Sequence, residues 1–259
     1  MAASSKRVIY AALIGNSLIA VTKFIASAVT GSSAMLTEGI HSLVDTGNQV
    51  LLLHGLRRSR RPADAAFPFG HGKEVYFWSF VVAILIFALG SGISLYEGIL
   101  HVMHPGEVTN PLVNYIVLGL AIAFETGAFL VAAREFSHAR GDRGVLEAIR
   151  HGKDPTLFVV LFEDGAALLG LFAALVGVGL THYTGDAVFD GIASIVIGVI
   201  LGATAIWLAL ETKGLLIGES AEPAVVQGIR EILEEREEVL HVNELLTMHL
   251  GPRSILVNV

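Results

Sequence analysis

Residues 34–56 read AMLTEGIHSLVDTGNQVLLLHGL. The stretch is long enough for an α-helix that crosses a bilayer, which needs roughly 20 residues. Yet it carries Glu38, His41, Asp45, Asn48 and Gln49. A charge at mid-bilayer costs about 2.5–3.5 kcal/mol on insertion scales, so the polar positions are the informative ones. On a helix His41 and Asp45, four apart, share one face, and Glu38, three before His41, lies on the same stripe. Imidazole with carboxylate is a donor set that Zn²⁺ accepts; a purely structural His–Asp pair is the bland alternative.

Outward from this segment the chain repeats the same design. Apolar stretches fall at roughly 8–30, 76–102, 111–133, 156–180 and 186–210, so the sequence predicts six transmembrane helices. The composition agrees. The 259 residues are 53% hydrophobic and only 16% charged, with a mean hydropathy of +0.66, whereas soluble domains carry about 25% charge. This argues against a soluble enzyme and against a disordered chain. The absence of cysteine removes disulfide scaffolds and Cys-based zinc modules. No basic face interleaved with aromatics suggests nucleic acid. Gly interrupts several stretches, as membrane helices tolerate where they pack closely.

Lys and Arg fix the expected orientation. Lys6 and Arg7 precede the first stretch, and Lys213 follows the sixth. Arg57, Arg58, Arg60, Arg61 and Lys73 lie between the second and third; Arg134, Arg140, Arg143, Arg150 and Lys153 lie between the fourth and fifth. The three alternate connections, 31–33, 104–110 and 181–186, hold none. By the positive-inside rule both termini are cytoplasmic, with a bacterial inner membrane as the expected setting. Residues 1–217 then form the membrane domain and 218–259 a cytoplasmic one. In the latter, Pro223 opens an amphipathic helix over 224–235, and 239–249 and 255–259 read as two strands. One helix with two strands buries little alone, so a shortened chain, or a tail completed by another copy, is expected.

Other polar residues inside the stretches divide into two groups. Glu211, Asp186, Glu97 and His101 sit near stretch ends and read as interfacial, Asp190 as a local cap, and Lys23 as a snorkelling or carboxylate-paired residue. Glu163 and Asp164 lie about one third of the way into the fifth stretch, with Glu125 in the fourth and Asn16 in the first. Two stretches that each bring acid to similar depth suit a cation site or a proton relay.

Gly31-Ser32-Ser33-Ala34-Met35-Leu36, Ile40-His41-Ser42-Leu43-Val44-Asp45, Phe69-Gly70-His71-Gly72-Lys73 and Asp190-Gly191-Ile192-Ala193-Ser194, set among six apolar stretches, resemble the cation diffusion facilitator family over the whole chain. Asp154-Pro155, Leu161-Phe162-Glu163-Asp164 and Glu125 resemble the branch that holds the animal mitochondrial zinc transporter and its bacterial relatives. The resemblance implies an all-α membrane domain of six helices followed by a partial α+β ferredoxin-like cytoplasmic domain. It also implies a homodimer that exports a divalent metal, Zn²⁺ first, from the cytoplasm in exchange for H⁺, and no enzymatic activity.

The family's transport site takes ligands at i and i+4 from the second and fifth helices. The first pair is His41 and Asp45; the second falls on Val160, which cannot bind metal, and Asp164. Glu163 is the nearest replacement, rotated about 100° from Asp164, and Glu125, Asn16 or a water are others. The family's loop site falls on Asp64 and His71, its middle histidine on Phe67. Mn²⁺, Fe²⁺, Co²⁺ or Cd²⁺ would also suit nitrogen and oxygen donors. A metal-sensing or scaffolding dimer without flux is the alternative function. An intramembrane hydrolase is disfavoured, since no HExxH pattern is present.

Overall fold

The computed structural model of the chain describes residues 2–106, 110–141, 144–145 and 155–259. Arg143, Arg150, Lys153 and Asp154, used in the orientation and branch readings, lie outside the described residues. The fold is mostly helical. Helices α1 (Ala2–Thr30) and α2 (Ser33–Ser59) are followed by α3 (Glu74–Met103), α4 (Pro111–Arg140), α5 (Pro155–Thr184) and α6 (Val188–Ile217). A short helix α7 (Pro223–Glu234) and an antiparallel hairpin of β1 (Leu246–Gly251) and β2 (Ser254–Asn258) complete it.

By length and composition four of these, α3 to α6, are apolar enough to cross a membrane among the described residues. Helix α2 falls short because its polar stripe lowers its hydropathy, and α1 contributes a shorter apolar stretch, Asn16–Thr30. Helices α2 to α6 also outrun their apolar stretches, because hydropathy marks the lipid-facing part of a helix and not its hydrogen-bonded ends. In the tail the strand expected from residue 239 begins only at Leu246. Its register runs from Leu246 opposite Asn258 to Gly251 opposite Ser254, and residues 239–245 have no strand partner among the described residues.

Helix α1 packs on α2 and α4, α4 on α5, and α5 on α2, which closes a four-helix bundle. Helices α3 and α6 pack side by side against it, chiefly on α2 and α5. Their seam is built from small residues. A Cβ on Gly198 would come within 2.8 Å of Leu95, and one on Gly98 within 2.7 Å of Ile195. In lipid such close approach replaces the missing hydrophobic drive between helices. A π-helical stretch, Ile86–Ser91, lies in α3 at this seam, and the Ser91 hydroxyl donates to the Gly198 carbonyl at 2.8 Å.

Asp190 links α6 to the start of α2. It is fully buried, accepts from the Ser32 hydroxyl at 2.6 Å, and accepts from the Ala34 N–H at 3.1 Å. Ser32 is itself the N-cap of α2, accepting from the Met35 N–H. Gly31, at φ +73°, makes the tight turn that brings α1 into this cap. A carboxylate at a helix N-terminus meets unpaired N–H groups and the positive end of the dipole; Asp190, expected to cap locally, instead caps the start of α2 from another helix. Replacing Asp190 with Ala strands a hydroxyl and a buried N–H at once. The variant should lose about 3 kcal/mol, read as a lower melting temperature in detergent; an unchanged melt would show that this cap carries no weight.

Candidate functional site

The buried face of α2 is Thr37, Glu38, His41, Ser42, Asp45, Asn48, Leu52 and Gly55. These positions define one helical stripe, and all of the first six carry a side chain that could hold a charge or a hydrogen bond. Lys23 of α1 meets the stripe at one end. Its ammonium, fully buried, donates to Glu38 Oε2 at 2.9 Å and to the Ser42 hydroxyl at 2.7 Å. The expectation that Lys23 pairs with a carboxylate is met, and snorkelling is not needed. The second oxygen of Glu38 has no hydrogen bond, and a Cβ on Gly170 of α5 would fall 2.6 Å from it.

One turn further, His41 is 99% buried. Its Nδ1 lies 3.4 Å from Asp45 Oδ1, but the angles do not make a hydrogen bond, and neither ring nitrogen has a partner. Asp45 comes within hydrogen-bonding reach of Glu163 on α5. Asn48, missed as a site residue in the sequence, donates through Nδ2 to Glu163 Oε1 at 2.6 Å, while its own Oδ1 is unpaired. The signal that could have found it is its register: Asn48 is three residues after Asp45 on the stripe. Glu125 of α4, also buried, lies within electrostatic range of Asp45, Glu163 and Asp164.

Glu163 and Asp164 are split between two faces of α5. The buried face runs through Val159, Glu163, Ala166, Ala167 and Leu171. Val160 and Asp164 instead line a cavity of about 620 Å³ together with Asn16, Gln49 and Gly127. That cleft runs from Glu135 and Thr156, beside the Arg-rich end of α4, inward to Asp164. Hence the structure brings Asp45 and Glu163 together at the α2–α5 contact, keeps His41 one turn from Asp45 on α2, and sets Asp164 at the adjoining cleft. Among the described residues, no three His, Asp or Glu side chains converge as a group able to hold a metal ion.

The loop residues meet each other. Asp64 Oδ1 accepts from the N–H groups of Ala66 and Phe67, at 2.9 and 2.8 Å, and its Oδ2 faces His71 Nε2 at 3.0 Å. Phe67 packs its ring on the His71 imidazole with centroids 4.6 Å apart. Hydrogen bonding from His71, then from the Phe67 N–H, holds the Asp64 carboxyl below the usual carboxylate range. Gly72 lies against Leu250 and Gly251, where any Cβ would collide with backbone. The loop therefore also seats the hairpin.

The cation efflux transmembrane domain matches residues 9–217, and the chain belongs to that family. It is 34% identical over 247 residues to the mitochondrial proton-coupled zinc antiporter SLC30A9 of Xenopus laevis, covering 95% of this chain and 44% of that protein. The human protein of the same name is 33% identical with the same coverage. Metal tolerance protein C4 of Arabidopsis thaliana is 32% identical over 252 residues, 96% of this chain and 55% of the relative. The chain thus spans about half the length of these curated relatives.

Two outcomes test this geometry. Lys23→Leu leaves Glu38 a buried charge without its cation and should cost about 3–5 kcal/mol, whereas Lys23→Leu combined with Glu38→Leu should recover most of the loss; thermal unfolding in detergent reads both, and an additive double variant would show that the pair is not coupled. For Asp64, a carboxyl with a lowered folded-state pKa orders its loop fully above the ordinary value of about 4, and that order is lost as pH falls through the lowered value. Carbon-13 NMR titration should find Asp64 below the ordinary range and moved back towards it in His71→Ala; an ordinary value in the parent chain would rule the contact out.

Proposed function

We propose that the chain is a secondary transporter that moves a divalent cation, Zn²⁺ in the first place, across a membrane in exchange for protons. One observation carries the reading. His41 is a buried imidazole with both nitrogens open, one turn from Asp45, whose carboxyl meets Glu163 across the α2–α5 contact. A fully buried histidine with no partner is costly unless a ligand completes it. The antiporter named for the relatives supports the same direction, and the family membership makes the chain a membrane protein.

On this reading residues 1–217 form six membrane-spanning helices and residues 218–259 the ferredoxin-like part, with both termini on the Lys- and Arg-rich, cytoplasmic side. Two chains form a dimer. A cation from that side passes the cleft at Asp164 and reaches His41, Asp45 and Glu163. Imidazole nitrogen with carboxylate oxygen suits Zn²⁺ over Mn²⁺; Fe²⁺, Co²⁺ and Cd²⁺ are the nearer competitors. The same groups bind protons, so each ligand that takes the metal gives up or excludes a proton. Rocking of the bundle then opens the site to the opposite side, where protons displace the cation. Asp64 and His71 form a secondary station outside the membrane. No bond is made or broken in the cargo, so the protein acts as a carrier and not as an enzyme.

The test uses the purified chain in liposomes with an interior pH dye. External Zn²⁺ should enter with proton exit, faster when the interior is acidic, with Mn²⁺ a poor competitor. Asp45→Ala should lower the initial rate by more than tenfold. Metal-dependent changes in dimer geometry with no Zn²⁺ flux would replace this reading by that of a sensor.

A further inference from the structure

We propose that the groove between α3 and α6, at their Lys- and Arg-rich ends, is a binding site for one anionic phospholipid, with an acyl chain in the groove and the headgroup phosphate on Lys213. The inference rests on the membrane placement of α3 and α6, which the family's transmembrane domain and the length and hydropathy of the two helices support. It does not depend on which cation the chain moves.

The shape of the groove makes the first argument. Deeper in the pair the two helices touch: a Cβ on Gly202 would fall 2.8 Å from Ser91 Oγ, and one on Gly90 3.4 Å from Leu201. Nearer the Lys- and Arg-rich end they leave a slot of about 280 Å³. Its floor is small, made by Ala83, Ala205 and Ala209, the first two buried. Its rims are large: Ile84, Phe87, Ile206 and Leu210 stand 46–63% exposed along it. Phe87, in the π-helical stretch, marks the deep end. From Lys213 to Ala205 the slot follows eight residues of α6, about 12 Å of helix. Sites for drug-sized ligands hold about 300–1,000 Å³ and place several polar groups. This one is smaller, long and apolar, which suits an extended hydrocarbon chain.

Lys213 makes the second argument. It is the one charged or hydrogen-bonding side chain on the lining. It is exposed, and among the described residues its ammonium has no ion pair or hydrogen bond. It lies four residues before the end of α6 at Ile217, about 6 Å of helix, a depth from which a lysine stem reaches the headgroup layer. This is the Lys- and Arg-rich end, since a Cβ on Gly218 would fall 3.6 Å from Lys73 Nζ. Glu211 points about 200° round the helix from Lys213, away from the groove. A zwitterionic headgroup brings its own cation beside its phosphate, whereas an anionic one does not, so a lone ammonium selects the anionic lipid. The same charge argues against a second copy as occupant. A two-fold contact sets a patch against itself, and neither patch would bring an acid to Lys213.

The experiment measures lipid retention by the full chain in detergent, by native mass spectrometry, beside Zn²⁺ uptake in liposomes. The probes are phosphatidylglycerol and phosphatidylcholine with the same acyl chains. Phosphatidylglycerol should bind about fivefold more tightly than phosphatidylcholine, the effect of one lysine near the headgroup layer. Lys213→Gln, an exposed change that spares the fold, should remove this preference, and Lys213→Arg should keep it. Ala209→Phe, which fills the slot, should weaken both lipids by about tenfold or more. Millimolar inorganic phosphate should displace neither. Equal retention of the two lipids by the parent chain, an unchanged preference in Lys213→Gln, or displacement by phosphate would overturn the site. The chain has no cysteine, so Leu210→Cys places a single thiol at the rim; a disulfide between copies in the membrane would give the groove to a second copy instead. A parent chain that prefers phosphatidylglycerol but moves no Zn²⁺ defeats the exchanger reading alone; one that moves Zn²⁺ without that preference defeats the lipid site alone.

Discussion

A charge moved out of water into a bundle of helices must meet a partner, because its desolvation costs several kcal/mol even after relaxation. In a soluble protein the apolar face of a helix fixes its rotation. Between helices in lipid that force is lacking, since tails are as apolar as leucine. Helix α2 therefore takes its position from its polar stripe. Lys23 holds it to α1 through Glu38 and Ser42, Asp190 holds its N-terminus to α6, and Glu163 meets it from α5 through Asn48. Three neighbours are set by three polar contacts, and the apolar side chains fill around them.

These contacts are not alike. At the Ser32 end, where the connection holds no Lys or Arg, both oxygens of Asp190 accept hydrogen bonds and the N-cap is complete. The Lys23 ammonium has two partners. Elsewhere on the stripe the satisfaction fails: the Thr37 hydroxyl, one oxygen of Glu38, both nitrogens of His41, one oxygen of Asp45 and the amide oxygen of Asn48 have no hydrogen bond. Closed groups make a scaffold, and open groups in the same stripe are where an exchangeable ligand lowers the free energy most. The Asn48 end of the stripe also faces the part of the bundle reached by the cleft from the Arg-rich side.

Much of this was legible in the sequence, for reasons that differ by element. The stripe of α2 stood out because polar residues recur at three and four against an apolar background. The phase of α5 could not be read in that way. Its surroundings are apolar or small on every side, and two acids in succession point about 100° apart, so periodicity alone cannot say which one the packing takes. Only the contact with Asn48 on another helix distinguishes them, and that contact exists only once α2 and α5 are packed together. The tail shows a different limit. Apolar residues over 239–245 suit a strand, but a strand also needs a partner for its backbone groups, and β2 pairs only with Leu246–Gly251.

The same comparison of closed and open groups bears on the loop. Asp64 and His71 have the chemistry of His41 and Asp45, and they lie in the loop between α2 and α3 at the Lys- and Arg-rich end of the bundle. Yet both oxygens of Asp64 are engaged, one by two backbone N–H groups and one by His71, and Phe67 covers the imidazole with its ring. A cation arriving there must displace a contact that already exists, and must do so beside water, where an exposed ion pair gains little. A cation arriving at His41 displaces no hydrogen bond and satisfies atoms that nothing else satisfies. With identical residue types, burial and prior partnership separate the two pairs: on the proposed transport reading the tighter station would lie inside the bundle, while the loop pair shapes the turn that carries Gly72 against the hairpin.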